Sequence, residues 1–173
     1  LGKVTLIQNA ATLWGTTTKD FVAMQNIATN LGDKAACVAV FSNQFGHQTN
    51  EDDKEIELTL KHVRPGNGFE FAGDLYAKVN GATAHPLFKW MRSTIKIPED
   101  PAGDNKGNGC DDALILPRGN FDATAVTTWS PVTRNDIAWN FEKFLFDKNG
   151  VLVKRYSRFY PTVDIEKDMR ILI

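Results

Sequence analysis

Two extended runs separated by one amphipathic stretch constrain this chain more than any other feature. Residues 3–10 (KVTLIQNA) carry β-branched and apolar residues over the length of a strand. A turn over 11–18 follows. From Lys19 the period changes: Phe21, Met24, Ile27 and Leu31 recur at three and four, and Gly32 stands where a helix C-terminal glycine belongs. Residues 35–41 (AACVAVF) are then almost continuously apolar, which suits a strand covered on both faces. Strand, helix and fully buried strand in that order predict a parallel β-α-β unit, because parallel neighbours need a long crossover.

The rest of the chain extends this unit. Asn50 is positioned to cap a second helix through Ile56, Leu60 and Val63, which Pro65 stops, and RPGNG follows as a connector. A short helix starts at Pro86, where proline suits the first helical position, and carries Phe88, Trp90 and Met91. Residues 97–128 are dense in Pro, Gly, Asp and Asn and give no regular element. DIAWNFEKFLF and VLVKRYSRF flank DKNG, whose Asn-Gly signals a hairpin. TVDIEKDMRILI ends the chain as a helix with acidic residues early and Arg170 late. The order predicts an α/β fold resembling a thioredoxin-like layout, a mixed central sheet flanked by helices. At 173 residues the chain suits one domain, 1–173, better than two.

Composition narrows the function classes. A net charge of -1 gives no basic excess for nucleic acid or an anionic membrane. The longest apolar runs fall far short of the roughly 20 residues that span a bilayer. Cys37 lies in an apolar run and Cys110 in a polar one, so neither a disulfide framework nor a metal site is suggested, and a reduced compartment fits. His47, His62 and His85 have no metal-ligand spacing. The pairs Asp52-Asp53 and Asp111-Asp112 read as helix-start and loop charges, and GNG at 66–68 is too weak for a phosphate loop.

The turn between the first strand and the first helix holds the chemistry. A residue there faces the N-terminus of the helix, where backbone N–H groups and the dipole favour an anion. A thiol in such a place has its pKa lowered from about 8.5 and becomes a nucleophile at neutral pH. The residue present is Trp14, whose indole is a donor without an ionisable nucleophile.

Several separated stretches resemble glutathione peroxidases, in order and over almost the whole chain: LIQNAATLWGTTTKDF, FSNQFGHQTNE, LKHVRPGNGF, NGATAHPLF, WSPVTRNDIAWNFEKFL and RYSRF. The likeness is greatest to the selenium-dependent tetrameric animal type. It implies that the family's N-terminal hairpin is missing ahead of residue 1. It implies that position 14 matches a selenocysteine or cysteine, the former encoded by UGA, one base from the tryptophan codon UGG. Trp14 then has three readings: a misread selenocysteine codon, an amino acid actually incorporated there, or a natural substitution in an inactive relative. Survival of the other site motifs favours the first two.

The resemblance also implies the companions. Gln44, Trp139 and Asn140 would surround the chalcogen, since their amides and indole N–H can donate to a selenolate or thiolate. Adjacent residues in a regular strand face opposite ways, so Trp139 and Asn140 can share one site only at the strand's irregular entrance. Lys19, Arg64 and Arg158 would hold the carboxylates of glutathione. Lys19 stands where the family usually has arginine, Phe159 follows Arg158 where a second arginine is common, and FSNQF is one residue shorter than the usual motif. The implied activity is reduction of hydrogen peroxide and organic hydroperoxides by glutathione, in a cytoplasmic homotetramer needing no metal or cofactor beyond selenium in residue 14. With a true Trp14 the alternative is an inactive structural or binding protein on the same fold.

Overall fold

The computed structural model describes residues 2–50, 52–71, 74–99 and 127–173. β1 (Val4–Ala10) and β2 (Ala35–Phe41) pair in parallel, from Val4 opposite Ala35 to Ala10 opposite Phe41. The crossover between them is α1 (Thr17–Leu31), which starts at Thr17 rather than Lys19 and ends on Gly32 at φ 54°. β3 (Asp74–Tyr76) adds in parallel to β2. It is only three residues long and has too little sequence to show a period.

β4 (Lys143–Phe146) lies antiparallel to β1, and β5 (Leu152–Tyr156) returns antiparallel to β4. The sheet order is β3-β2-β1-β4-β5, mixed, as in a thioredoxin-like fold. The DKNG hairpin is closed by Asp147, whose Oδ1 accepts from Val151 N at 2.8 Å and Asn149 N at 2.9 Å.

Three further α-helices follow, α2 (Asp53–His62), α3 (Pro86–Thr94) and α4 (Ile165–Leu172), with short 3-10 turns at Gly32–Lys34 and Thr162–Asp164. α2 is capped by Asp52, which accepts from Lys54 N at 2.9 Å and Glu55 N at 3.2 Å. The expected cap, Asn50, is engaged elsewhere, because its Oδ1 accepts from the Thr12 hydroxyl at 2.6 Å. α3 begins with Pro86 at its first position, and the His85 ring caps it from Leu87 N.

The sheet separates two apolar clusters. One gathers Leu6, Phe21, Met24, Ile27, Phe41, Leu145, Ile165 and Met169, with Ile56 and Leu60 of α2. The other holds Val40, Phe45, Phe88, Met91, Trp139, Phe144 and Phe146. Leu145 thus points to one face and its neighbours Phe144 and Phe146 to the other, the alternation a doubly covered strand requires. Phe21 is the hub of the first cluster, stacked on Phe41 at 5.6 Å between centroids and edge-on to Phe71 at 5.3 Å. Burial of one such side chain contributes about 1.5–3 kcal/mol, so α1 is held by its apolar face.

Candidate active site

The turn over 11–16 is fixed from three sides. Thr17, fully buried at the start of α1, donates its hydroxyl to Ala11 O at 2.8 Å, tying the helix to the end of β1. Leu13 N donates to Gln48 O at 2.9 Å. From the end of α2, Arg64 Nη1 donates to Leu13 O at 3.1 Å and to Trp14 O at 2.8 Å. Thr16, the cap of α1, makes no side-chain cap bond, so no side chain of the turn competes for the first N–H groups of the helix. Residue 14 therefore sits in front of a helix N-terminus with a guanidinium beside it, a setting that favours an anion.

The ring of Trp14 is half-buried and meets Trp139 edge-on, with centroids 6.1 Å apart and planes at 66°. Trp139 packs in turn on Phe45 at 5.8 Å. Trp139 and Asn140 precede β4, which begins at Lys143, and Phe141 sits at φ 67°. That left-handed residue breaks the strand's alternation where the sequence required an irregular entrance.

Gln48 completes the cluster. Its Oε1 accepts from Asn140 Nδ2 at 2.8 Å. Gly46 lies between Gln48 and Trp139: a Cβ built on it would be 3.6 Å from both Gln48 Cδ and Trp139 Cη2, and its φ is 65°. Asn140 is 2% exposed, and its Oδ1 has no partner among the described residues.

Gln44, the amide expected in this role, is turned away. Its Oε1 accepts from Val79 N at 2.6 Å and Asn80 N at 3.0 Å, and its Nε2 donates to Asn80 O at 3.1 Å. Asn80 then exchanges two bonds with the backbone of Ile137, its Nδ2 to Ile137 O at 2.8 Å and Ile137 N to its Oδ1 at 2.9 Å. Gln44 thus braces the segment that leads to Trp139, and Gln48 is the glutamine beside the turn. Gly46 and His47 both have positive φ, 65° and 53°, so the chain reverses between the two glutamines. The glycine was the only sequence signal of that reversal.

The three cations expected around the site differ in what they do. Arg64 is part of the turn, as described. Lys19 is exposed in the first turn of α1, on the rim of a groove of about 310 Å³ that also has Thr162 in its wall. Arg158 follows β5, with its guanidinium 4.5 Å over the Phe159 ring.

Buried charges hold the segment before β4. Glu142, fully buried, pairs with the equally buried Arg155 at 2.8 Å and accepts from Ala138 N at 2.6 Å. Burial pushes the Glu142 carboxyl up. Arg92 of α3 pairs with Asp136, and burial pushes that guanidinium down. Neither pair was legible in the sequence, where charges in a strand or helix read as solvent-facing.

Cys37 is buried in β2, and burial pushes its thiol up to about 12, which removes it as a nucleophile near neutral pH. Cys110, Asp111 and Asp112 lie outside the described residues. Among the described residues no group of three or more His, Cys, Asp or Glu is arranged to hold a metal, and no helix is long and apolar enough to cross a membrane.

A family model described as glutathione peroxidase matches residues 1–92. Glutathione peroxidase 1 of Pongo pygmaeus is 46% identical over 175 residues, covering 99% of this chain and 80% of that protein. The Rattus norvegicus protein of the same name gives the same figures. Among solved structures, T. cruzi GPX1 aligns with a TM-score of 0.58 at 24% identity, over 99% of this chain and 82% of that one. The apo form of Trgpx aligns at 0.57 and 21%, over 99% and 80%. At those identities the two structures speak for the fold.

Proposed function

The chain belongs to the glutathione peroxidase family, and on that premise we propose that it reduces hydrogen peroxide and organic hydroperoxides with glutathione when residue 14 is selenocysteine or cysteine. The observation that carries this reading is that the α1 N-terminus, Arg64 and the Trp139 ring meet residue 14, with Gln48 joined to the turn at Leu13 and to Asn140.

The chemistry follows from those groups. A selenolate or thiolate at position 14, stabilised by the helix N-terminus and Arg64, attacks one peroxide oxygen. The O–O bond breaks, the other oxygen leaves as water or alcohol after taking a proton, and residue 14 becomes a selenenic or sulfenic acid. One glutathione thiol condenses with it, releasing water and leaving a mixed selenosulfide or disulfide. A second glutathione attacks the first one's sulfur, giving oxidised glutathione and the free nucleophile. The Gln48 amide and the Trp139 indole N–H are the donors for the anion and for the leaving oxygen. Lys19, Arg64 and Arg158 are the cations for the glutathione carboxylates, with Nη1 of Arg64 already committed to the turn.

A second reading has its own support. The Trp14 ring packs edge-on against Trp139, so an indole is accommodated and a noncatalytic relative is coherent. The sparse cysteines suit a cytoplasmic protein, and exposed Trp90 on α3, stacked on Phe146, suits packing of α3 in a homotetramer.

Hydroperoxide reduction coupled to glutathione reductase separates the readings. The chain carrying Trp14 is expected to show no turnover above background, and Trp14→Cys measurable turnover. Turnover by material whose peptide mass proves Trp14, or a folded Trp14→Cys protein that is silent, would overturn the proposal. A gene reading UGG with Trp14 in the native protein favours the second reading.

A further inference from the structure

Asn9 is fully buried in β1, five positions before the residue that carries the chemistry, and its bonds lead to the other half of the site. Its Nδ2 donates to Trp139 O at 3.1 Å, and its Oδ1 accepts from Glu142 N at 2.8 Å. Its backbone joins the same segment: Asn9 N donates to Glu142 O at 3.2 Å, and Phe141 N donates to Asn9 O at 2.9 Å. One residue thus grips the chain on both sides of Phe141.

Phe141 needs such a grip. A bulky side chain at φ 67° is costly, of the order of 1–2 kcal/mol, and persists only where its surroundings fix it. Without the left-handed residue, Trp139 and Asn140 would return to alternate faces, and Trp139 could not keep its contact with residue 14 while Asn140 kept its bond to Gln48. The amide of Asn9 suits the task because it offers a donor and an acceptor one bond apart, matching Trp139 O and Glu142 N. An aspartate offers acceptors only when ionised, and a serine is too short to span both.

We propose, resting on the peroxidase reading, that Asn9 is a positioning residue: its side-chain amide locks the Trp139–Asn140 pair toward residue 14 and thereby sets the acidity of a chalcogen there. Asn9 reaches the nucleophile only through that pair. Its loss leaves the helix N-terminus and Arg64 in place but loosens the donors on the opposite side.

The test compares Trp14→Cys alone with the same protein carrying Asn9→Asp or Asn9→Ser. Alkylation by iodoacetamide is followed against pH and read peptide by peptide, so that the thiol introduced at position 14 reports the site and buried Cys37 reports the fold. In the parent the pKa of the introduced thiol is expected below that of a free one, about 8.5. In both Asn9 variants it is expected to rise by about one unit, a tenfold loss of thiolate well below the pKa, with Cys37 still protected.

An alkylation profile at position 14 that neither substitution changes overturns the proposal, as does an ordinary thiol pKa in the parent. If both variants expose Cys37, Asn9 serves folding alone and the proposal is also overturned. The assay uses neither peroxide nor glutathione. A Trp14→Cys protein with an Asn9-dependent pKa and no peroxidase turnover would therefore refute the functional reading while leaving the positioning role intact.

Discussion

Replacing Arg155 by Met tests how the site is held from behind. Arg155 is fully buried, and its guanidinium gathers two distant segments. Nη1 donates to Ile95 O at 3.2 Å, Lys96 O at 2.9 Å and Asn135 O at 3.1 Å, while Nη2 donates to Asp136 O at 2.9 Å. Nε donates to Glu142 Oε2 at 2.8 Å. Methionine fills much of the volume and supplies none of these donors. The chief cost is Glu142, left buried with its charge unmatched, and breaking one side of such a pair costs about 3–5 kcal/mol. Against a total stability of about 5–15 kcal/mol, that is enough to move an unfolding midpoint far.

The pH dependence has a definite sign. Glu142 already has its carboxyl pushed up by burial, and removal of Arg155 pushes it further. A carboxyl with a raised folded pKa holds its proton better folded than unfolded. Stability of Arg155→Met should therefore fall as pH rises from the unfolded value, about 4.3, toward the folded one. Adding Glu142→Gln removes the stranded charge and should recover about half of the loss or more. Urea titrations of the four proteins of the cycle, at acidic and neutral pH, measure both effects. A single substitution costing less than about 1 kcal/mol, the range of an exposed pair, would refute the reasoning. So would a double variant whose loss is the sum of the singles.

Other outcomes follow from the same contacts. In a Trp14→Cys background, Gln48→Ala should slow oxidation of the introduced thiol by peroxide and strand the single buried amide of Asn140. Gln44→Ala should instead strand the buried N–H groups of Val79 and Asn80 and destabilise by about 1–3 kcal/mol per group; stopped-flow rates and urea midpoints separate the two. Arg64→Lys replaces a fork by a point charge that serves the Leu13 and Trp14 carbonyls poorly, so in the same background the thiol pKa at position 14, measured by alkylation, should rise; an unchanged value would mean that Arg64 braces the turn without acting on the thiol. Asp147 is held below the usual carboxylate range, first by the Val151 N–H. Its contribution is present above the unfolded pKa and is lost as pH falls through the folded one, so Tm should fall less steeply with acid in Asp147→Asn than in the parent.

The parts of this fold that sequence could reveal are those encoded by period and punctuation. The spacing of Phe21, Met24, Ile27 and Leu31 marked α1, the unbroken apolar run marked β2, and Pro86 and DKNG marked α3 and the hairpin. β3 was hidden by its brevity. The cap of α2 moved from Asn50 to Asp52 because a tertiary bond to Thr12 claimed the asparagine. At the site, strand geometry required an irregular entrance before β4, but nothing local identified Phe141 as the residue that takes positive φ. The choice between Gln44 and Gln48 depended on a reversal at Gly46 and His47, and the buried charges on partners remote in sequence. Such features are decided by contacts between elements, which a single sequence displays only weakly.

The edge-on meeting of Trp14 and Trp139 bears on how a cysteine at position 14 could be capped. An indole there is in effect a stopper of known shape, and cysteine in its place uncorks the space before Trp139. An electrophile that delivers an aromatic ring through one methylene to a cysteine at position 14 would refill that space and regain the edge-on contact, while a small alkylating agent would leave it open. The chain carrying tryptophan is thus a structural template for such an adduct of its Trp14→Cys variant.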